Sequence, residues 1–262
     1  MENFKRWLSL QRVMLQEPDG RFVKTQERRV ANTVRKAFKT QMDYIIKSLE
    51  NRLNVNFIED DILDEILRDL PAKEMLAIAV IEGGRRTLLK GGKRSVKPLD
   101  LKTVGIDFSL QHPDAVNYLT GKRRLLLSDY RGTITNTTNQ GIKKIVSKGV
   151  SEGKSYSAIA TEIRGQFDKG VFSRARAELI GSHEMKEAYN FGKTVPIDEF
   201  RAKYPNRRVE KEWITVSDER VTEECLENGD AGWIDYDEVF PSGDPYPPRF
   251  PGCRCSWSSK II

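Results

Sequence analysis

The chain has 262 residues, of which 31% are charged and 38% are hydrophobic, and its formal net charge is +6. This length allows one large domain or two ordinary ones with modest cores. No run of eighteen apolar residues occurs and no apolar stretch follows the charged start. We therefore expect neither a membrane span nor a secretory signal, and we expect synthesis in the cytosol.

The charge is unevenly distributed along the chain. Residues 1–100 contain 20 basic and 15 acidic residues, residues 101–195 contain 15 and 9, and residues 196–262 contain 9 and 14. The basic part is compatible with polyanion contact, whereas the acidic C-terminal part is not where DNA would lie. Charge alone does not establish DNA binding, because most lysines and arginines on helix faces are simply solvated.

Apolar spacing predicts helices in the first part of the chain. A short amphipathic helix is predicted over residues 1–23, a long one from Thr25 to Leu53 and a third from Ile58 to Leu70. Pro71 is predicted to open a fourth helix, Ala72 to Ile81, because proline suits the first helical position. This pattern favours an all-α bundle.

The most basic segment, residues 82–98, has six lysines or arginines, one glutamate and two Gly-Gly pairs. One interpretation is a helix broken by glycine and followed by a loop. The functional interpretation is a loop that contacts DNA phosphates without reading bases. Its candidate contacts are Arg85, Arg86, Lys90, Lys93, Arg94 and Lys97. The segment lacks the Gly-Lys-Ser/Thr arrangement of a P-loop, so nucleotide hydrolysis is not supported.

Further helices are predicted between residues 109 and 195. Pro113 starts one, and Ser155 is placed to cap another. A helix over residues 173–191 is predicted to end at Gly192, with Pro196 preventing its resumption. His183 on that helix is more simply a capping or surface residue than a catalytic one, because no nucleophile is paired with it.

Residues 209–257 hold all three cysteines and three of the four tryptophans. Residues 213–216 have the composition of a strand, and Ser217-Asp218 could start a turn or cap a short helix through Cys225. Residues 228–232 are typical of turns. We assign Trp213, Trp233, Asp218 and Arg220 to the core of this small α+β module.

Five prolines lie between Pro241 and Pro251, which predicts an irregular arm that cannot pair as an inner strand. Such an arm buries little by itself and needs its ends fixed. Cys225, Cys253 and Cys255 are placed to do this.

The order W-x-T-x-x-D-x-R-V from Trp213, followed by Cys225, the proline-rich arm and Pro-x-Cys-Arg-Cys, resembles the C-terminal signature of the phage Mu F-like family. Upstream, residues 176–192 are similar to the R-A-x-x-I-x-x-T-E-x-x-x-A-Y-N-x-G helix of that family. Three departures occur. Thr222 stands where relatives often have a cysteine, Phe250-Pro251 replaces His-Pro, and His183 replaces the threonine of the helix.

The resemblance implies a minor head morphogenesis protein of tailed bacteriophages and no catalytic activity. It implies a partner in the portal protein, with scaffold or major capsid protein and double-stranded DNA as further candidates. The expected location is the capsid interior near the portal, after assembly in the host cytoplasm. Two alternatives remain: a metal-dependent nuclease or toxin-like enzyme built on the same module, and a DNA-binding protein without sequence preference.

For the cysteines we favour buried reduced thiols and expect no cofactor, with two alternatives. One is a disulfide from Cys225 to Cys253 or Cys255. The other is a zinc site whose fourth ligand would be His183, an acidic residue or water. Because Thr222 and Phe250 occupy positions where the resemblance would supply ligands, we expect less than one zinc per purified chain.

A nuclease site would use acidic residues near the start of the predicted short helix, which could bind Mg²⁺. Helix capping explains them more simply. The candidates are Asp218, Glu219, Glu223 and Glu224, with Arg220.

The fold prediction is mainly α, a helical body with a small C-terminal α+β module and a proline-rich arm. The predicted division is an N-terminal helical region with the basic segment, residues 1–100, a helical middle region, 101–200, and the small module, 201–262.

Overall fold

The computed structural model describes residues 20–51, 60–128, 133–216 and 218–262. The helix predicted over residues 1–23 lies outside this range except for its last four residues. In the part of the chain that the structure describes, no helix is both long enough and apolar enough to cross a membrane.

The described chain is mainly helical and carries one small sheet, which confirms the predicted fold class. The helices are α1 (Gly20–Asn51), α2 (Asp60–Arg68), α3 (Lys73–Val96), α4 (Pro113–Leu127), α5 (Ile134–Ser151), α6 (Tyr156–Lys169), α7 (Arg174–Lys203) and α8 (Glu223–Asp230). A 3-10 helix spans Leu101–Val104, and the strands are β1 (Val209–Ile214), β2 (Trp233–Asp235) and β3 (Ser256–Ile261). The sheet is antiparallel with the order β2-β1-β3.

Local chemistry accounts for several helix starts. Pro113 begins α4, as predicted. The Ser155 hydroxyl accepts a hydrogen bond from the Ala158 amide at 3.3 Å and caps α6, also as predicted. The Thr133 hydroxyl does the same for α5, with the Asn136 amide at 3.2 Å.

The prediction of a loop over residues 82–98 is wrong, because α3 continues unbroken to Val96. Its Gly91 and Gly92 are buried. A side chain at Gly91 would collide with the Tyr189 carbonyl, and one at Gly92 with the Phe108 ring. These glycines therefore permit close packing of backbone and ring. Their burial offsets the helix cost of glycine, which is about 1 kcal/mol per residue.

The predicted end of α7 at Gly192 is also wrong, because the helix runs through Pro196 to Lys203. Gly192 lies so close to the Leu88 carbonyl of α3 that a side chain at this position would collide with it. Residues 192–197 are all buried. Tertiary burial of this turn offsets the helix cost of an internal proline, which is about 3 kcal/mol.

The chain divides into two compact units. Of the described residues, one unit holds those within Arg28–Glu82 and Leu119–Gly181, and the other holds residues 20–27, Gly83–Tyr118 and Ser182–Ile262. We call the second the C-terminal unit because it contains the whole sheet. The predicted three-part division of the chain stays a prediction.

Arg176 organises polar groups inside the unit of Arg28–Glu82 and Leu119–Gly181. Its guanidinium donates hydrogen bonds to the Thr138 hydroxyl at 3.0 Å, to the Ile134 carbonyl at 2.9 Å and to the Val171 carbonyl. It also lies 5.0 Å from the centre of the Phe38 ring. Burial lowers the pKa of Arg176 to about 10. Arg176, which belongs to the helix that resembles the family motif, therefore has a structural role in this unit.

The core of the C-terminal unit includes an apolar cluster beside the sheet. Trp213 is 2% exposed, and its ring centre lies 5.2 Å from that of Phe240. The three cysteines complete this buried cluster. The assignment of Trp233 to the core is wrong: its side chain is 37% exposed, with Lys260 Nζ 4.2 Å from the ring centre.

Turns and caps in the module differ in part from their predictions. The turn predicted over residues 228–232 is confined to Ala231-Gly232, where Gly232 has φ 64°, because residues 228–230 belong to the end of α8. Asp218 starts a turn, in which the Val221 amide donates to its carbonyl at 3.0 Å, whereas Thr222 occupies the N-cap position of α8. Ser217 lies outside the described residues. Residues 241–251 form neither helix nor strand, which confirms the irregular arm.

Candidate functional site

The structure brings the three cysteines together from two separate segments. Cys225 lies in the first turn of α8, where its amide donates to the Thr222 carbonyl at 3.1 Å. Cys253 and Cys255 lie at the end of the arm, directly before β3, and the Cys253 amide donates to the Phe250 carbonyl at 3.0 Å. The three sulfurs lie within 4.8 Å of one another, and all three residues are buried free thiols. We call these residues the thiol cluster.

The sulfurs differ in acidity because they share hydrogen bonds. The hydrogen bond from Cys255 lowers the pKa of the Cys253 thiol. The same bond, together with burial, raises the pKa of Cys255. Burial raises the pKa of Cys225. Negative charge within the cluster is therefore most stable on Cys253.

Among the described residues, no imidazole nitrogen or carboxylate oxygen lies within 4.8 Å of all three sulfurs. His183 lies outside the cluster, and its Nε2 is 3.7 Å from Glu187 Oε2. The structure therefore excludes His183 as the fourth member of this group as it stands. A cavity of about 10 Å³ adjoins the cluster and is lined by Thr222, Phe250 and Arg254, among others.

Arg254, between the two arm cysteines, pairs with Asp218. Its two terminal nitrogens donate to the two carboxylate oxygens of Asp218. Asp218 Oδ1 also accepts from the Arg220 amide at 3.0 Å. The Arg254 guanidinium holds the pKa of the Asp218 carboxyl well below its usual range. The assignment of Arg220 to the core is wrong, since 79% of its side chain is exposed.

This geometry gives little support to a magnesium site at the acidic residues. Asp218 would have to leave Arg254 to bind a cation. Glu223 and Glu224 occupy the first turn of α8, where negative charge favours the helix dipole. Glu224 also lies 3.6 Å from Arg249. The helix dipole and ion pairing account for these side chains.

Three side chains of α7 that the sequence interpretation missed bind the arm, its end and the start of β3. Lys186 Nζ donates to the Cys253 carbonyl at 3.1 Å, and Asn190 Nδ2 donates to the Pro247 carbonyl at 2.8 Å. Lys193 Nζ donates to the Trp257 carbonyl at 2.5 Å and lies 4.7 Å from the centre of that ring. Their spacing of four and three residues places them on one face of α7, a signal that the sequence did contain.

The six basic candidates are on or just beyond α3. At about 100° per residue, five of them lie within an arc of about 100°, and Arg85 lies about 80° outside it. We call these five the basic strip: Arg86, Lys90, Lys93, Arg94 and Lys97. Arg86, Lys93 and Lys97 are exposed, whereas Lys90 and Arg94 are half-buried.

Two strip residues border a larger cavity. Lys93, Lys97 and Lys102 line a space of about 430 Å³. Asp100 and Asp107 line it as well, and Lys102 Nζ lies 3.6 Å from Asp107. The aspartates reduce the positive potential at this end of the strip. Lys102 is a basic neighbour that the sequence interpretation did not include.

Comparison with known proteins gives one match. Residues 140–258 match the family model described as Phage Mu protein F like protein. No curated protein and no solved structure matches the chain. The matched segment contains α6, α7, the arm, the thiol cluster and most of the sheet. The resemblance is therefore confirmed: residues 140–258, less than half of the chain, are similar to the phage Mu F-like family.

Proposed function

We propose that the protein is a minor head protein that binds the portal inside the phage capsid and supports head assembly and DNA packaging or delivery. The family suggests a phage head morphogenesis protein, and the match over residues 140–258 is the observation that carries the proposal. The protein would be present in few copies per particle. No step of this role requires catalysis.

The small module is the part best suited to a protein partner. Residues 196–262 are net acidic, which disfavours contact with DNA. Leu226 is 43% exposed, Trp233 37% and Val239 58%. Exposed aromatic and apolar side chains contribute strongly where interfaces form. These three exposed side chains are therefore candidates for contact with a partner protein.

The test is co-expression of the full chain with the portal protein of the same phage, followed by affinity capture at moderate salt. We expect the two proteins to co-elute. Val239→Glu is expected to weaken capture, whereas Val116→Glu, on the exposed face of α4 at 47% exposure, leaves it unchanged. Recovery of intact, folded chain without portal would contradict the proposal.

Contact with double-stranded DNA is a second candidate function, favoured by the basic strip. Its exposed members Arg86 and Lys93 lie on one side of α3, and Lys97 directly follows the end of the helix. Such side chains would neutralise phosphates and release counterions without reading sequence. This role is compatible with a head protein that meets the packaged genome.

A further inference from the structure

The thiol cluster has the composition and the spacing of a metal site. Zinc binds thiolates at about 2.3 Å, so tetrahedral thiolate ligands of one ion lie about 3.8 Å apart. The three sulfurs here lie within 4.8 Å of one another. A shift of about 1 Å or less in each pair would bring them to bonding positions around one ion.

Packing alone does not account for the polar surroundings of the cluster. A buried reduced cysteine behaves as a small hydrophobic residue and needs no polar neighbour. Here, however, the Thr222 hydroxyl is buried beside the Cys225 thiol. Thr222 and all three cysteines line the same small cavity. Its volume of about 10 Å³ is close to the least that holds one water molecule.

The charges around the cavity also favour a metal-thiolate centre. Three thiolates and one Zn²⁺ carry a net charge of −1. Arg220 and Arg254 line the cavity, and arginine is permanently positive. Asp218 pairs with both arginines, so the three side chains together leave a net charge of +1 beside the cavity. A fixed cation beside an anionic centre offsets part of the cost of burying that charge.

We propose that Cys225, Cys253 and Cys255 bind one zinc ion, with a water molecule in the adjoining cavity as its fourth ligand and hydrogen-bonded to Thr222. The sequence predicted less than one zinc per chain, because two positions that would supply ligands hold Thr222 and Phe250. The sequence could not show that the three sulfurs converge. The ion joins α8 to the end of the arm. Its role is structural, because a small module with few core residues gains stability from a metal.

The test uses the full-length chain, reduced and stripped of metal with a chelator, and titrated anaerobically with Co²⁺ as the probe. We expect one Co²⁺ per chain, with a sulfur-to-cobalt charge-transfer band and intense visible bands of tetrahedral cobalt. Zinc should abolish both. Each of Cys225→Ser, Cys253→Ser and Cys255→Ser should lose at least one third of the charge-transfer intensity or bind no cobalt.

Thr222→Cys keeps the test decisive even if the serine variants fail to fold. This change places a fourth thiolate at the cavity, so charge-transfer intensity should rise by about one third and zinc should bind more tightly. Thr222→Val is the matched control, which keeps the shape of threonine but removes the hydroxyl. It should retain the three-thiolate spectrum.

Two results would overturn the proposal. One is a folded, reduced wild-type chain with three titratable thiols that gives no thiolate-cobalt band. The other is a chain that, purified without reductant, contains a disulfide and binds no metal after reduction. Neither result bears on portal binding, which the capture experiment measures separately.

Discussion

Arg254 and Asp218 form a paired set of hydrogen bonds that joins the segment after β1 to the end of the proline-rich arm. The arm has no regular secondary structure, so its position depends on such contacts with its ends and carbonyls. Side chains of α7 also bind the arm and its end. The pair therefore contributes to the order of the module.

Loss of this pair should lower stability in a pH-dependent way. Arg254 lowers the pKa of Asp218 from its usual 3.8, so the contribution is present above that value and is lost as the pH falls further. We expect Asp218→Asn to lower the Tm by a few degrees at neutral pH, since the pair is partly exposed. The difference from wild type should shrink in strong acid. Asp230→Asn, an exposed change on α8, is the control, and equal Tm values at neutral pH would contradict this account.

Close packing of α3 on α7 predicts that Gly91→Ala is destabilising. The added methyl group would meet the Tyr189 carbonyl, and backbone cannot move aside cheaply. We expect a loss of about 1–3 kcal/mol in the free energy of unfolding, measured by urea denaturation. Gly121→Ala on α4, where nothing lies within 4 Å, is the control and should gain up to about 1 kcal/mol. An unfolding free energy of Gly91→Ala equal to that of the wild type would show that α3 and α7 are not packed this closely.

The buried hydrogen bonds of Arg176 predict a large effect from its removal. Arg176→Met leaves the Ile134 and Val171 carbonyls without this donor, and we expect a loss of roughly 2–4 kcal/mol in unfolding free energy. Arg174→Ala is the control on the same helix: its side chain is 74% exposed, so a change below about 0.5 kcal/mol is expected. Similar losses for both variants would indicate that the buried hydrogen bonds of Arg176 add nothing to the unfolding free energy beyond what an exposed arginine of the same helix adds.

The sequence predicted these features to different degrees. Local signals, such as Pro113 and Ser155, located helix starts correctly because they act through adjacent backbone amides. The glycines of α3 and Pro196 of α7 led to wrong predictions of where these helices end, because the continuation of a helix through such residues depends on burial against distant residues. The three cysteines were identified as candidates, but their convergence depends on the positions of α8 and the arm end. Arg254 was missed as the partner of Asp218 for the same reason.

DNA contact by the basic strip predicts a steep salt dependence. Each neutralised phosphate contributes about −0.9 to the slope of log affinity against log salt. Replacing the exposed residues Arg86, Lys93 and Lys97 with alanine should flatten that slope by up to about 3 units, equally for all sequences. Arg85→Ala should change it less, because Arg85 lies outside the strip. Fluorescence anisotropy at several salt concentrations measures the slope.

The control for the strip removes the same charge elsewhere, at the exposed lysines Lys36, Lys39 and Lys47 of α1. Equal effects of the two triple variants would show that net charge, and not the strip, governs binding. The DNA should also remain uncut with Mg²⁺ or Mn²⁺. Cleavage that Asp218→Asn abolishes would place the protein in the nuclease class.

The central claim is that this chain is a minor component of the phage head that acts at the portal. Quantitative mass spectrometry of purified particles, calibrated with labelled peptides for this chain, the portal and the major capsid protein, tests it most directly. We predict that the chain is present at a low copy number, comparable to that of the portal and far below that of the major capsid protein. Absence from heads that carry a normal portal complement, or a copy number near that of the major capsid protein, would contradict the claim.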